Sequence, residues 1–163
     1  MNNNLILTVD NSMMGDDGAG PYFAQLCRQV PLPNWTALDG GTTPENFVHQ
    51  IRVMKPERLM IFDATEMELP PGKIRWIDKD AIAETIFVST HTLPLNFLIE
   101  QLEDEINEVL FIGIQPDLVA FGFPMTHAVK SAVEFFYDFL KNNGDLSEIS
   151  LFWTKWKASK KRL

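Results

Sequence analysis

Short apolar runs of strand length recur along this chain, and they alternate with segments whose apolar residues have helical spacing. The first run is Leu5–Val9, and three more are Trp35–Leu38, Arg58–Phe62 and Val109–Ile114. Strands that are apolar on both faces are typical of a parallel sheet covered by helices on both sides. We therefore predict one α/β domain with three α/β/α layers, built on a twisted, mainly parallel sheet of about five strands.

Helix starts and an edge strand complete this prediction. Pro21, Pro44 and Pro94 stand in the first turns of three predicted helices, and Thr126 is the predicted cap of the last helix. The segment 73–77 alternates polar and apolar residues, which indicates a strand with one face in water at an edge of the sheet. The segment 85–93 is ambiguous between strand and loop.

The charge distribution limits the classes of partner. The 163 residues include 14 basic and 22 acidic side chains, and five of the basic ones lie in residues 155–163. Residues 1–154 therefore hold nine basic and 22 acidic groups, a net charge of −13, which argues against nucleic acid as the main partner and favours cations or basic peptides. We predict a domain over residues 1–145 and a tail with a basic end over residues 146–163.

Other features bear on the compartment. No apolar run reaches the roughly 18 residues that a membrane-spanning helix needs, and the N-terminus lacks the basic region and cleavage site of a signal peptide. The one cysteine, Cys27, cannot form an internal disulfide, which fits a reducing compartment. We expect a cytoplasmic protein with no stable membrane association.

Acidic residues follow three of the predicted strands. Asp10, Asp39 and Asp63 come directly after strand-like runs, while Asp16 and Asp17 lie in the loop after the first run. Because ligands of open parallel sheets bind beyond the carboxyl ends of the strands, these side chains are expected near one rim. Such a cluster is repulsive unless a cation neutralises it, which favours a divalent metal. Two other interpretations stay open: Asp39 could only build a turn with Gly40-Gly41, and Asp16 and Asp17 could only cap a helix.

Of the three histidines, His91 is the best candidate for a ligand. It lies in the polar stretch Ser-Thr-His-Thr ahead of a predicted helix, whereas His49 and His127 fall on helices. One histidine with two carboxylates suits a first-row divalent ion with open coordination positions. The sequence has no HExxH, GxSxG, GxxxxGK[ST] or GxGxxG motif to indicate a different chemistry.

Several segments together resemble the nickel–iron hydrogenase maturation endopeptidases, in particular the type that serves the hydrogenase of formate hydrogenlyase. The resemblance covers about residues 5–140 in register. Its residues lie in the segments Asn11–Pro21, Asp39–Gly41 with Pro44–Asn46, Ile61–Thr65, Thr90–His91 with Pro94–Asn96, Gly113–Asp117 and Pro124–Thr126. Where the family usually has Gly-Asn after the first strand, this chain has Asp10-Asn11.

The resemblance implies a cytosolic protease that removes the C-terminal extension of a hydrogenase large-subunit precursor after nickel insertion. It implies that nickel, supplied by the substrate, is sensed by Asp17, Asp63 and His91, although other divalent ions could occupy the site. Asp39 is the matching candidate for aiding peptide hydrolysis, with Asp10 and Asp16 as possible supporting residues. The expected partner is the precursor, and the expected oligomeric state is a monomer.

Two alternatives use the same rim residues. A noncatalytic metal-binding or chaperone module would share all of them. A receiver-like phosphoacceptor domain also carries acids after its first and third strands, but it needs a lysine after its last strand. The corresponding strand here ends Gly113-Ile114-Gln115-Pro116, which makes a receiver the weaker alternative.

Overall fold

The computed structural model describes residues 3–77 and 92–151, and in the second range it describes side chains from residue 97 onward. Within these ranges, one five-stranded sheet forms the centre of the fold. The strand order is β2-β1-β3-β5-β4, and every neighbouring pair is parallel except β4 with β5. The strands are β1 (Asn4–Thr8), β2 (Trp35–Asp39), β3 (Arg58–Ala64), β4 (Ile74–Ile77) and β5 (Glu108–Ile114). The predicted α/β fold, its mainly parallel sheet and the position of β4 at an edge are confirmed.

Within the described ranges, four α-helices cover the two faces of this sheet. They are α1 (Ala19–Gln29), α2 (Val48–Met54), α3 (Thr92–Leu102) and α4 (His127–Lys141). Short 3-10 helices precede α1 and α2 at Gly15–Gly18 and Pro44–Phe47, and a third lies at Leu146–Glu148. The helices predicted from Pro94 and from Thr126 are both present.

The central strands are buried on both faces, which explains their continuous apolar sequences. In β3, Leu59 and Ile61 pack into the core under α2 and α3, whereas Met60 and Phe62 pack into the core under α1 and α4. In the second core the Phe62 ring stacks on Phe136 of α4 with their centroids 5.3 Å apart. The alternation along each strand thus produces the three predicted layers.

The chain after α4 returns to the sheet. Leu146 is 5% exposed and belongs to the core under α1 and α4. The N–H of Trp76 in β4 donates to the carbonyl of Ser150 at 2.9 Å, and Trp76 forms a parallel bridge with Leu151. The segment predicted as a tail from residue 146 therefore packs on the domain as far as residue 151, because its apolar side chains complete the core. The basic end of the tail lies outside the described residues.

Among the described residues, no helix is both long enough and apolar enough to cross a membrane.

Candidate active site

The switch point of the sheet lies between β1 and β3. These two strands are parallel neighbours, but the chain runs from β1 to β2 on one side and from β3 towards β4 and β5 on the other. Loops that leave adjacent strands in opposite directions open a crevice at the carboxyl edge, where open α/β sheets bind their ligands. Asp10 follows β1 by two residues and Asp63 is the penultimate residue of β3, so both acids lie at this crevice.

Asp10 is a buried residue in an unfavourable backbone conformation. Its φ is 126°, in the region that favours glycine, and its side chain is 2% exposed. Carboxylate Oδ2 accepts a hydrogen bond from the N–H of Ala64 at 2.7 Å, which ties the end of β1 to the end of β3. The aspartate at this glycine-like position is thus held by a contact that a glycine could not make.

Asp10, Asp17 and Asp63 form a cluster of buried carboxyl groups. Asp17 and Asp63 are 7% and 0% exposed, and the Asp10 carboxyl shares a hydrogen bond with the side chain of Asp63. Burial raises the pKa of Asp10 well above its ordinary value, and the charge of Asp17 raises it further, while hydrogen bonds from Asp63 and the Ala64 N–H oppose the rise. Carboxyl groups this close share a proton or hold a cation, so the cluster fits a positively charged ligand.

Asp16 faces a different part of the molecule from its neighbour Asp17. Its carboxylate is fully buried; Oδ1 accepts from the N–H of Thr126 at 2.7 Å, and Oδ2 accepts from the N–H groups of Asp117 and Leu118 at 2.8 and 3.0 Å. The hydroxyl of Thr126 also donates to this carboxylate. Asp16 therefore fastens the loop between β5 and α4 to the loop after β1.

The helix starts in this region have no side-chain cap at their N-cap residues. Met14 and Gly18 occupy the N-cap positions of the first 3-10 helix and of α1, while Asp16 and Asp17 lie in the first turn of that 3-10 helix. Thr126 does occupy the N-cap position of α4, but its hydroxyl turns to Asp16 and makes no capping hydrogen bond. A fully buried carboxylate is costly unless hydrogen-bond donors satisfy it. The Thr126 hydroxyl therefore donates to Asp16, which is distant in the sequence, instead of capping its own helix.

Asp39 lies at the same edge but in an exposed turn. Its Oδ1 accepts from the N–H of Gly41 at 3.0 Å and from the Thr8 hydroxyl at 3.4 Å. The turn adjoins the buried cluster, because the N–H of Asp10 donates to the carbonyl of Gly41 at 3.0 Å. Asp39 thus builds the turn that was expected as one of its two interpretations, and its exposed carboxylate stays accessible at the rim.

Two of the three histidines, His49 and His127, lie on described helices. His91 lies outside the described residues, His49 is exposed on α2, and His127 is the first residue of α4 with Nε2 3.4 Å from the Ser131 hydroxyl. Within residues 3–77 and 97–151, no group of three or more His, Cys, Asp or Glu side chains has the arrangement of a metal site. The described carboxylates alone therefore do not form a three-ligand metal site.

Gln115 is a structural residue that the sequence interpretation did not single out. Its Oε1 accepts from the N–H groups of Met67 and Leu69 at 2.7 and 3.3 Å, and its Nε2 donates to Glu66 at 2.9 Å. It follows β5, where a receiver domain would carry its lysine, and it shapes the loop after β3 instead. In the sequence, the only indication of this structural role is that Gln115-Pro116 directly follows a buried strand.

Comparison with known proteins agrees with this architecture. The family model described as HycI, hydrogenase maturation protease, matches residues 23–142. The chain is 51% identical over 150 residues to the hydrogenase 3 maturation protease of Escherichia coli (strain K12), covering 90% of this chain and 96% of that protein. The solution structure of the endopeptidase HycI from Escherichia coli superposes with a TM-score of 0.86 at 48% identity, covering 95% of this chain and 99% of the other.

A more distant structure shares the fold. The hydrogenase maturating endopeptidase HybD from Escherichia coli superposes with a TM-score of 0.71 at 23% identity, covering 85% of this chain and 88% of the other. The fold, the buried acids at the switch point and the match over most of the chain lead to one assignment: this chain belongs to the hydrogenase maturation protease family of endopeptidases.

Proposed function

We propose that this chain removes the C-terminal extension of a nickel–iron hydrogenase large-subunit precursor after nickel insertion, and that it recognises nickel held by that precursor. Asp17, Asp63 and His91 are the proposed ligands. The observation that carries the proposal is the burial of Asp17 and Asp63 beside Asp10 at the switch point, where a cation would relieve the repulsion among carboxylates.

The donor set is consistent with this metal. Carboxylate oxygens and an imidazole suit first-row divalent ions, so other divalent ions are expected to bind the same residues. Nickel is here part of the substrate, and it would supply orientation of the scissile peptide, polarisation of its carbonyl or activation of a water. Asp39 is the residue proposed to assist hydrolysis, since its hydrogen bonds to Gly41 and Thr8 fix an exposed carboxylate at the rim.

The decisive experiment compares two forms of the precursor. The purified chain is incubated with nickel-loaded and with metal-free large-subunit precursor, and the released C-terminal peptide is measured by mass spectrometry. Cleavage of the nickel-loaded form alone is the expected result. Equal cleavage of both forms would contradict nickel recognition. Cleavage of neither form would favour a noncatalytic binding module.

Matched substitutions test the ligands. Asp17→Asn, Asp63→Asn and His91→Gln are expected to abolish processing, while thermal unfolding changes little for the two aspartates because lost hydrogen bonds are offset by reduced repulsion. Asp138→Asn, at an exposed carboxylate on α4, is the control and should process normally. Loss of activity in the control, or normal activity in Asp63→Asn, would contradict the assignment.

Two finer features belong to the same proposal. We place the reaction in the cytoplasm, where a reducing environment suits a chain with one buried cysteine, Cys27. We also propose that the chain works as a monomer, with the precursor as its partner. Gel filtration with light scattering at assay concentrations tests the oligomeric state directly.

A further inference from the structure

An uncharged loop with exposed apolar side chains lies beside the buried acids. Residues 118–126, with the sequence LVAFGFPMT, follow Asp117 in the connection between β5 and α4 and contain no charged side chain, in a chain whose first 154 residues carry a net charge of −13. Four side chains of this loop and one from the loop after β1 are exposed although they are large and apolar. They are Leu118 (39%), Val119 (40%), Phe121 (71%), Phe123 (54%) and Met13 (57%), and we name these five residues the apolar rim patch.

The apolar rim patch is held by backbone hydrogen bonds to the segment that carries Asp17. The N–H of Gly15 donates to the carbonyl of Phe123 at 3.1 Å, the N–H of Asp16 to that of Leu118 at 2.8 Å, and the N–H of Gly122 to that of Met13 at 2.9 Å. The Asp16 carboxylate adds the side-chain bonds to the two ends of the loop. The patch is therefore fixed relative to the candidate active site rather than loosely appended to it.

The amount of apolar surface limits what the patch can bind. Its five side chains expose on the order of a few hundred Å², whereas a stable dimer buries roughly 800 Å² on each partner. The surface is thus too small to hold a second copy on its own, but its size suits one segment of a protein substrate. Because backbone hydrogen bonds join this loop to the segment that carries Asp17, a substrate bound at the buried acids would lie beside the loop.

We propose that the apolar rim patch docks an uncharged, apolar segment of the large-subunit precursor and so holds the precursor at the carboxylates. This inference rests on the processing reaction proposed above, but not on its nickel dependence. Apolar contact with the patch provides affinity, and the acids beside it provide the chemistry. Removing exposed phenyl groups should therefore weaken substrate binding while leaving the rate of the bound complex unchanged.

The test uses a double variant and a matched control. Phe121→Ser/Phe123→Ser removes two exposed rings from the patch, and Phe135→Ser removes an equally exposed ring (70%) from α4, where it borders a separate cavity next to Lys73 and Arg75 of the β4 region. With nickel-loaded precursor, we expect the double variant to raise KM at least about tenfold, which corresponds to ~1.4 kcal/mol, with kcat within about twofold. The control should match the parent in both constants.

A second measurement separates this inference from nickel recognition. Binding of metal-free precursor is followed by fluorescence anisotropy, and the double variant should bind about tenfold more weakly than the parent. If the parent cleaves both precursor forms equally but the double variant still has a raised KM, nickel recognition fails and docking stands. Unchanged KM and unchanged affinity in the double variant would reject docking, as would a loss confined to kcat. A parent that self-associates while the double variant does not would assign the patch to a second copy instead.

Discussion

Replacing Asp16 with asparagine tests whether this residue stabilises the fold or supports the proposed metal site. The carboxylate has 0% exposure and accepts hydrogen bonds from three backbone N–H groups, those of Thr126, Asp117 and Leu118. An amide has only one acceptor oxygen. In Asp16→Asn this oxygen can accept from Thr126 or from the Asp117 and Leu118 pair, and the NH₂ group must then face the N–H that is left without an acceptor.

The magnitude follows from these contacts. One buried N–H left without an acceptor costs roughly 1–3 kcal/mol, and each remaining bond loses about 1 kcal/mol when its acceptor is no longer charged. Relief from burying a charge offsets part of this loss. We therefore expect Asp16→Asn to lower the free energy of unfolding by about 2–4 kcal/mol, which in a chain of this size lowers Tm by roughly 5–15 °C.

Urea unfolding followed by circular dichroism measures the difference. The control is Asp39→Asn, because the exposed Asp39 accepts from the N–H of Gly41, a bond that the asparagine oxygen also makes, so its stability should stay within about 0.5 kcal/mol of the parent. If Asp16→Asn is as stable as the parent but no longer processes the precursor, the reasoning is refuted. Asp16 would then have a supporting role at the proposed metal site.

Two further substitutions and one reactivity measurement have defined outcomes. Gly20→Ala should lower the free energy of unfolding, measured in urea, by about 2 kcal/mol, because the added Cβ would lie 2.3 Å from the Val9 carbonyl oxygen. This loss is expected even though alanine stabilises an isolated helix by about 1 kcal/mol relative to glycine. In thermal melts, Asp10→Asn should gain stability relative to the parent as pH rises above about 4. The pKa of Asp10 is raised in the folded chain, so its favourable contribution is lost as pH rises through that pKa. Cys27 should react with a thiol reagent at pH ~8 at least about 100-fold more slowly in the folded chain than in urea, since burial raises the pKa of its thiol to about 12; equal rates would contradict this.

The strands could be predicted from the sequence because their burial leaves a direct pattern. Leu5–Val9 is apolar except for Thr8, Val109–Ile114 is apolar throughout, and the alternation at residues 73–77 indicated the edge position of β4. The positions of Asp10 and Asp63 at one rim followed from the rule for parallel sheets, without any knowledge of their contacts.

The roles of neighbouring acids could not be predicted in the same way. Asp16 and Asp17 are adjacent in the sequence, yet Asp16 binds Asp117 and Thr126, which lie 101 and 110 positions away. A sequence pattern reports local periodicity, whereas such bonds depend on how two loops meet after folding. The same limit applies to Leu146, whose place in the core depends on the packing of α1 and α4.

The contact between Trp76 and residues 150–151 has a consequence for solubility. Among the described strands β4 is the outermost on its side of the sheet, and the outer backbone groups of an edge strand are a template for pairing with a strand of another molecule. The Trp76 N–H is instead occupied by the Ser150 carbonyl. A chain shortened to residue 145 would expose this edge together with the apolar surface that Leu146 covers, so such a fragment should self-associate into β-rich aggregates at concentrations where the full chain stays dispersed.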